Sequence, residues 1–218
     1  MNHPVRFLLV DDHPLFRQGL ASVIENVHRY TVTAEATTIS QALSLLESIE
    51  VDVALVDISL QQENGLELVK TLKATRPEIS CIVVSMYDEI IYASSALKAG
   101  AKGYVMKQEA ASSLLDAIEM VLKGKIYLSK DMRERMLDTM LLQDSKKEID
   151  LVKLLSIREM EVLQLLGQGF GVSEIAHNLN LSVKTINVYR DNIRRKLSID
   201  DAGSLRRFAI QWVTSNER

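Results

Sequence analysis

The chain has 218 residues, of which 47% are hydrophobic and 25% charged, and its formal net charge is −3. These proportions are ordinary for a soluble globular protein, and no run reaches the roughly 18 to 20 apolar residues of a membrane span. The single cysteine, Cys81, excludes an internal disulfide, and no secretory leader pattern precedes the first apolar run. We therefore expect a cytoplasmic protein with no membrane segment.

The small net charge hides two halves of opposite sign. From Val152 to Arg218 there are ten Lys and Arg against seven Asp and Glu, a net charge of +3. The first 151 residues carry 16 basic and 22 acidic side chains, a net charge of −6. This asymmetry favours a cation as the partner of the first half and a polyanion as the partner of the second.

Short apolar runs alternate with amphipathic segments over the first 125 residues. The runs are continuously apolar, which is typical of strands covered on both faces of a parallel sheet. One amphipathic segment, Ala111–Lys123, has its leucines, isoleucine and valine at helical spacing. The pattern predicts an α/β domain over residues 1–127, a doubly wound five-stranded parallel sheet of flavodoxin-like type. The predicted strands are Val5–Val10, Thr31–Ala36, Val53–Asp57, Cys81–Ser85 and Gly103–Met106.

The amino-acid composition changes after the α/β pattern. Residues 128–151 are rich in charged and amide side chains, which indicates a linker with a helix near Asp131–Leu142. Beyond Leu151 no strand pattern occurs, so residues 152–218 are predicted to form an all-α domain of about four helices.

Polar side chains follow four of the predicted strands at the points where the strands end. Open parallel sheets bind ligands outside the carboxyl ends of their strands, so these groups are expected to converge. Close carboxylates repel one another unless a cation lies among them, and Mg²⁺ prefers oxygen ligands. A basic group and a hydroxyl beside them suit phosphoryl transfer to a carboxylate. The residues are Asp11 and Asp12, Asp57, Ser85, and Lys107.

His13, directly after the acidic pair, is expected to be a solvated loop residue and not a ligand. One histidine among oxygen ligands gives too little nitrogen for a transition-metal site.

In these residues and their spacing the first domain resembles the receiver domains of two-component systems. Gly65 eight residues after Asp57, and Tyr104 three residues before Lys107, add to the match. The resemblance implies Asp57 as phosphoacceptor, with Asp11, Asp12 and the backbone carbonyl of Ser59 completing a Mg²⁺ site. It also implies that Ser85 and Tyr104 form a switch pair, in which the tyrosine ring turns inward on phosphorylation. One departure is Gln61, which stands where receivers usually carry proline.

The helical half begins with a capping box, Ser156 to Glu159, ahead of an amphipathic helix. A short helix, Val172–Leu179, and the turn at Asn180 then lead to Ser182, a suitable N-cap for the helix Val183–Leu197. Two helices joined by so short a turn predict a helix-turn-helix. In the second of them Ile186, Ile193, Leu197 and either Tyr189 or Val188 are predicted to face inward, and a last helix is predicted near Ala202–Thr214.

Residues Leu155–Asp200 resemble the LuxR-type DNA-binding domain, and together with the receiver pattern they resemble regulators of the NarL/FixJ type. The matching pieces are Leu155–Leu163, Glu174–Ala176, Leu181–Ile186 and Arg195–Leu197. The resemblance implies two sets of DNA contacts. Phosphates would be contacted by Lys184, Thr185, Arg190, Arg194 and Lys196, and base edges would be faced by Asn187, Val188 and Asp191. For Asp191 a salt bridge to Arg194 or Arg195 within the helix is favoured slightly.

The sequence therefore predicts a response regulator that a sensor histidine kinase or a small acyl phosphate phosphorylates on Asp57 with Mg²⁺. It would bind promoter DNA as a homodimer when active and would catalyse only its own phosphorylation and dephosphorylation. Four alternatives stay open: DNA binding without phosphoryl control, a degenerate receiver used only for docking, an apolar-ligand sensor, and an aspartyl-nucleophile phosphohydrolase. The last two are weak, because aromatic residues are only 5% of the chain and the adjacent acids do not fit the haloacid dehalogenase spacing.

Overall fold

The structure is a computed structural model, and it describes residues 3–60, 63–87, 89–141 and 155–216. These residues fall into two compact units, Met1–Leu137 and Asp138–Arg218. Within the described ranges, no helix is long and apolar enough to cross a membrane.

The first unit is built on five parallel strands in the order β2-β1-β3-β6-β7, as the predicted doubly wound fold requires. Its helices lie on both faces of the sheet: α1 and α5 share one apolar cluster with it, while α2, α3 and α4 pack on the other side. The elements are β1 (Val5–Val10), α1 (Pro14–Glu25), β2 (Tyr30–Ala36), α2 (Ile39–Leu45), β3 (Val53–Val56), β4 (Ser59–Leu60), β5 (Glu63–Asn64), α3 (Gly65–Thr75), β6 (Ser80–Ser85), α4 (Glu89–Ala99), β7 (Gly103–Met106) and α5 (Ala110–Leu122).

The predicted strands agree with these bounds to within one residue. β3 ends at Val56, one residue earlier than predicted, and the N–H of Asp57 still donates to the carbonyl of Val10 in β1 (2.8 Å). Cys81 is buried in β6, as expected of a small apolar side chain, and burial raises the pKa of its thiol to about 12. The antiparallel pair β4 and β5, in which Ser59 lies opposite Asn64, was not predicted.

The chain leaves the first unit along the open edge of the sheet. After α5, Tyr127 forms a parallel bridge with Gly103 of the edge strand β7. Its N–H donates to the carbonyl of Lys102 (2.9 Å), and its carbonyl accepts from the N–H of Tyr104 (3.2 Å). Helix α6 (Lys130–Leu141) follows, one residue earlier than predicted, and residues 142–151 of the predicted linker lie outside the described residues.

The described residues from 155 to 216 form the helices α7 (Ile157–Gly167), α8 (Val172–Asn178), α9 (Val183–Leu197) and α10 (Ala202–Asn216), as predicted. The capping box at the start of α7 is present, with both bonds between Ser156 and Glu159 formed. α7 packs against α9 and α10. Gly167 allows a close approach, because a Cβ there would lie 2.4 Å from the carbonyl oxygen of Ala209. The core of the unit is formed by Val162, Leu163, Ile175, Ile186, Ile193, Leu205 and Ala209.

Candidate functional site

The strand register brings the acidic residues of the first unit together. Val10 of β1 lies beside Val56 of β3, so the next residues, Asp11 and Asp57, leave adjacent strands at the same edge. Both carboxylates are buried, with 2% and 3% of the residue exposed. Ser85 and Lys107 leave the next two strands at the same edge, because Ser85 is paired with Met106. The predicted convergence is therefore what the sheet produces.

Lys107 is the positive charge of the site. Its ammonium lies 2.6 Å from Asp11 Oδ2 and 2.8 Å from Asp57 Oδ2, and it sits 4.5 Å from the centre of the Phe16 ring. The side chain is only 3% exposed. A buried ammonium is stabilised only when it is paired, so Lys107 and the two carboxylates depend on one another for their charge.

Burial dominates the ionisation of Asp57. Desolvation raises the pKa of its carboxyl to about 6, against the lowering effect of Lys107, and the nearby charge of Asp11 raises it further. Two carboxylates thus share one ammonium in a water-poor site, which leaves negative charge uncompensated when both are ionised. A divalent cation would compensate that charge and return Asp57 to its ionised form.

The donor set of the site fits a divalent cation. One ligand atom each from Asp11, Asp12, His13 and Asp57 can be chosen so that all lie within 4.8 Å of one another. His13 is an exposed loop residue, as expected, and the expectation that it is not a ligand stays a prediction. Its side chain is 62% exposed, but its Nδ1 lies 2.9 Å from Asp12 Oδ1 and 3.2 Å from Asp11 Oδ1. The exposed ring therefore also contacts both carboxylates of the acidic pair.

The loop after Asp57 is shaped by a glycine. A Cβ at Gly65 would lie 1.8 Å from the carbonyl oxygen of Asp57, closer than any side chain tolerates. The N–H of Gly65 donates to Ile58 (2.8 Å), and the N–H of Ser59 donates to Asp57 Oδ1 (3.1 Å). The role of the Ser59 carbonyl as a cation ligand stays a prediction, and Gln61 lies outside the described residues.

Ser85 and Tyr104 are linked through Tyr87, which sequence reasoning missed. The N–H of Tyr87 donates to Ser85 Oγ (3.3 Å), and the Tyr104 hydroxyl donates to the carbonyl of Tyr87 (2.9 Å). The Tyr87 hydroxyl donates to Ser59 Oγ at 3.4 Å. Tyr104 is 1% exposed, so its ring already points inward. In the sequence, the one sign of this link is that an aromatic residue stands two positions after Ser85.

Helix α9 carries the predicted DNA contacts of the second unit. It begins at the predicted N-cap: Ser182 Oγ accepts from the N–H of Thr185 at 3.0 Å. The alternative left open for the buried face is resolved, because Tyr189 is half-buried and Val188 is 52% exposed. Lys184, Asn187 and Asp191 are exposed, and Thr185, Arg190, Arg194 and Lys196 are partly exposed.

Several of these side chains are already paired within the unit. The salt bridge favoured for Asp191 is present, 3.2 Å from Arg194, and Arg190 donates to Asn187 at 2.8 Å. Lys196 lies 2.6 Å from Glu159 of α7. Burial works to raise the pKa of Glu159, but hydrogen bonds from Lys196 and Ser156 hold it below its usual range. Lys196 therefore links α9 to α7. Of the predicted phosphate contacts, Lys184 at the start of α9 is the exposed one, and the others are partly buried.

Comparison with known proteins gives two family matches. Residues 7–119 match the response regulator receiver domain, and residues 153–209 match the bacterial regulatory proteins of the luxR family. The response regulator UvrY of Escherichia coli is 31% identical over 212 residues, covering 97% of this chain and 96% of UvrY. The transcriptional regulatory protein DegU of Brevibacillus brevis is 30% identical over 210 residues, covering 90% of this chain and 89% of DegU.

Solved structures give the same result. The RcsB response regulator of Salmonella typhimurium is 28% identical with a TM-score of 0.58, covering 95% of this chain and 98% of RcsB. RcsB of Salmonella enterica serovar Typhimurium bound to promoter rprA in the presence of phosphomimetic BeF3- is 26% identical. Its TM-score is 0.61, and the match covers 95% of this chain and 98% of that one.

Proposed function

The chain belongs to the response regulators that join a receiver domain to a LuxR-type DNA-binding domain, and we propose that phosphorylation of Asp57 controls its binding to promoter DNA. One observation carries the proposal: a buried Asp57 shares the Lys107 ammonium with Asp11, next to carboxylates that fit a divalent cation. We place the receiver at residues 1–127, the linker at 128–151 and the DNA-binding domain at 152–218.

The proposed reaction uses Asp57 as nucleophile. A carboxylate oxygen attacks the phosphorus of a phosphohistidine on a sensor kinase, or of a small acyl phosphate, and the bond to the imidazole or carboxylate leaving group breaks. Mg²⁺ held by Asp11, Asp12, Asp57 and the Ser59 carbonyl would supply charge neutralisation at the phosphoryl oxygens. Lys107 would bind the same oxygens, since its ammonium lies 2.8 Å from Asp57 Oδ2. The chemistry modifies the chain itself, so no external substrate is turned over.

The proposed signal runs from Ser85 to the linker. A phosphoryl group on Asp57 would draw the Ser85 hydroxyl toward it, which would break the bond that Ser85 Oγ accepts from Tyr87. Tyr87 also accepts from the Tyr104 hydroxyl, and the N–H of Tyr104 donates to Tyr127. Two residues, Tyr87 and Tyr104, therefore link a movement of Ser85 to Tyr127, where the chain leaves the receiver.

The second domain would bind the major groove through α9. Its exposed Lys184, with the partly exposed Arg190 and Arg194, would meet phosphates with a salt-dependent affinity, and Asn187 would read a base edge. The solved structures include two RcsB dimers bound to DNA, which supports a homodimer as the active form of this chain. Such a dimer would read two half-sites about one helical turn apart.

The test of this function is labelling by acetyl phosphate in Mg²⁺. Wild-type protein is expected to take up one phosphoryl group, and Asp57→Ala none. Persistent labelling of Asp57→Ala would refute the assignment of the phosphoacceptor. Mapping bound DNA across the genome, wild type against Asp57→Ala, then measures how far phosphorylation directs binding.

DNA binding without phosphoryl control is the alternative that the sequence leaves open. Operator affinity with and without beryllofluoride separates the two candidates. Equal affinity supports the second, and tighter binding in beryllofluoride supports control by Asp57.

A further inference from the structure

His13 joins the acidic pair to helix α1, and its position is fixed by the backbone. It is the N-cap residue of α1, with φ −93° and ψ 103°, and Pro14 follows it at the first helical position. Its N–H donates to Asp11 Oδ1 at 2.8 Å. The imidazole is thus carried on a backbone segment that the first carboxylate of the site itself anchors.

The Nδ1 atom of this ring is placed as a ligand would be. It lies 2.9 Å from Asp12 Oδ1 and 3.2 Å from Asp11 Oδ1. In an octahedral site with bonds of about 2.1 Å, neighbouring ligand atoms are about 3.0 Å apart and opposite ones about 4.2 Å. The four ligand atoms of Asp11, Asp12, His13 and Asp57 lie within 4.8 Å of one another, so one cation can meet all four after small shifts.

We propose that His13 is a specificity-determining ligand, whose Nδ1 raises the affinity of the phosphorylation site for a first-row transition cation such as Co²⁺ relative to its affinity for Mg²⁺. The inference rests on the proposed function, because it concerns the same cation site. Mg²⁺ takes oxygen ligands and gains little from an imidazole, whereas imidazole nitrogen suits the later first-row dications. The carboxylates bind both classes, and His13 sets the ratio between them.

A plainer role for His13 gives a different expectation. If Nδ1–H only donates to Asp12 and orients it, losing the ring would weaken every cation by a similar factor. If Nδ1 is a ligand, losing the ring weakens binding of the transition cation more than it weakens binding of Mg²⁺. The ratio of the two dissociation constants therefore distinguishes the roles, whatever the change in either one.

The variant that tests this is His13→Asn, whose amide oxygen replaces Nδ1 at nearly the same distance from the backbone. His28→Asn is the matched control, since His28 is exposed and lies just before β2 begins, at the opposite edge of the sheet. Calorimetric titrations of the full chain with Co²⁺ and with Mg²⁺, in the same buffer, give the two constants. The visible spectrum of bound Co²⁺ reports nitrogen coordination independently.

We expect His13→Asn to reduce the preference for Co²⁺ over Mg²⁺ at least about tenfold and to shift the Co²⁺ spectrum, with His28→Asn like wild type. An unchanged preference in His13→Asn, or an unchanged spectrum, overturns the inference. Failure of the proposed function looks different: wild-type protein would then bind cations without Mg²⁺-dependent labelling of Asp57 by acetyl phosphate.

Discussion

Replacing Asp57 with Asn is expected to make the first unit more stable at neutral pH. The pKa of this carboxyl rises from 3.8 to about 6 in the fold, chiefly because burial disfavours its charged form. A shift of about two units corresponds to roughly 3 kcal/mol, at 1.36 kcal/mol per unit. Between about pH 4 and pH 6 the folded protein binds more protons than the unfolded chain, so stability falls as pH rises. The penalty is complete above pH 6, and an amide in place of the carboxylate removes it.

The expected gain is therefore largest near pH 7, up to about 3 kcal/mol, and most of it is lost by pH 4; it vanishes at lower pH, where Asp57 is protonated in both states. Urea unfolding of the full chain measures it, with circular dichroism following both units. Trp212 is the single tryptophan and lies in α10, so its fluorescence identifies the transition of the second unit. Mg²⁺ should shrink the difference, because the cation stabilises only the wild-type carboxylate.

Asp52→Asn is the matched control with the opposite sign. The hydrogen bonds that Asp52 accepts from Arg6 lower its pKa, so its contribution to stability is present at neutral pH and is lost as pH falls. This variant should be less stable than wild type near pH 7 and equal to it in acid. The reasoning fails if Asp57→Asn is no more stable than wild type at pH 7, or if its gain persists unchanged at pH 4.

Three further predictions concern backbone shape and DNA contact. Gly65→Ala should lower the stability of the first unit by about 2 kcal/mol or more and abolish labelling of Asp57, because the new Cβ would lie 1.8 Å from the Asp57 carbonyl oxygen. Gly19→Ala is the control: its Cβ would meet no described atom within 4 Å, so this variant should fold normally and label like wild type. Ser182→Ala should cost about 1 kcal/mol in the second unit, read by Trp212 fluorescence, because it removes the N-cap of α9; no loss would contradict the cap's role. Lys184→Ala should weaken binding to all DNA sequences and reduce the slope of log affinity against log salt concentration by about one. Asn187→Ala should instead lose discrimination at one base pair. Titration of labelled duplexes measures both effects, and an unchanged slope would remove Lys184 from the phosphate contacts.

How far the sequence predicts the site depends on whether a residue's position follows from the chain alone. Asp11, Asp57, Ser85 and Lys107 were predicted together because strand ends in a parallel sheet meet at one edge. His13 was predicted to be exposed, and it is; its contacts with Asp11 and Asp12 were not predicted, because the direction of an exposed ring is set by the carboxylates beside it and not by any period in the sequence.

Other positions needed packing that no local pattern contains. Tyr87 joins Ser59, Ser85 and Tyr104 from three different segments, and each contact depends on the assembled fold. Tyr189 and Val188 are adjacent in α9 and therefore about 100° apart around the helix. The spacing of the hydrophobic residues does not decide which of the two faces the core. Lys196 reads as a surface charge in the sequence, and only the approach of α7 pairs it with Glu159.

The bridge between Tyr127 and Gly103 bears on where the first unit can be cut. β7 is an edge strand, and an exposed strand edge is a template for pairing with another chain. The backbone of Tyr127 occupies that edge through its bonds to Lys102 and Tyr104. A fragment ending at Leu122, the last residue of α5, would uncover the edge and invite aggregation, while one ending at Leu137 would keep its own cover.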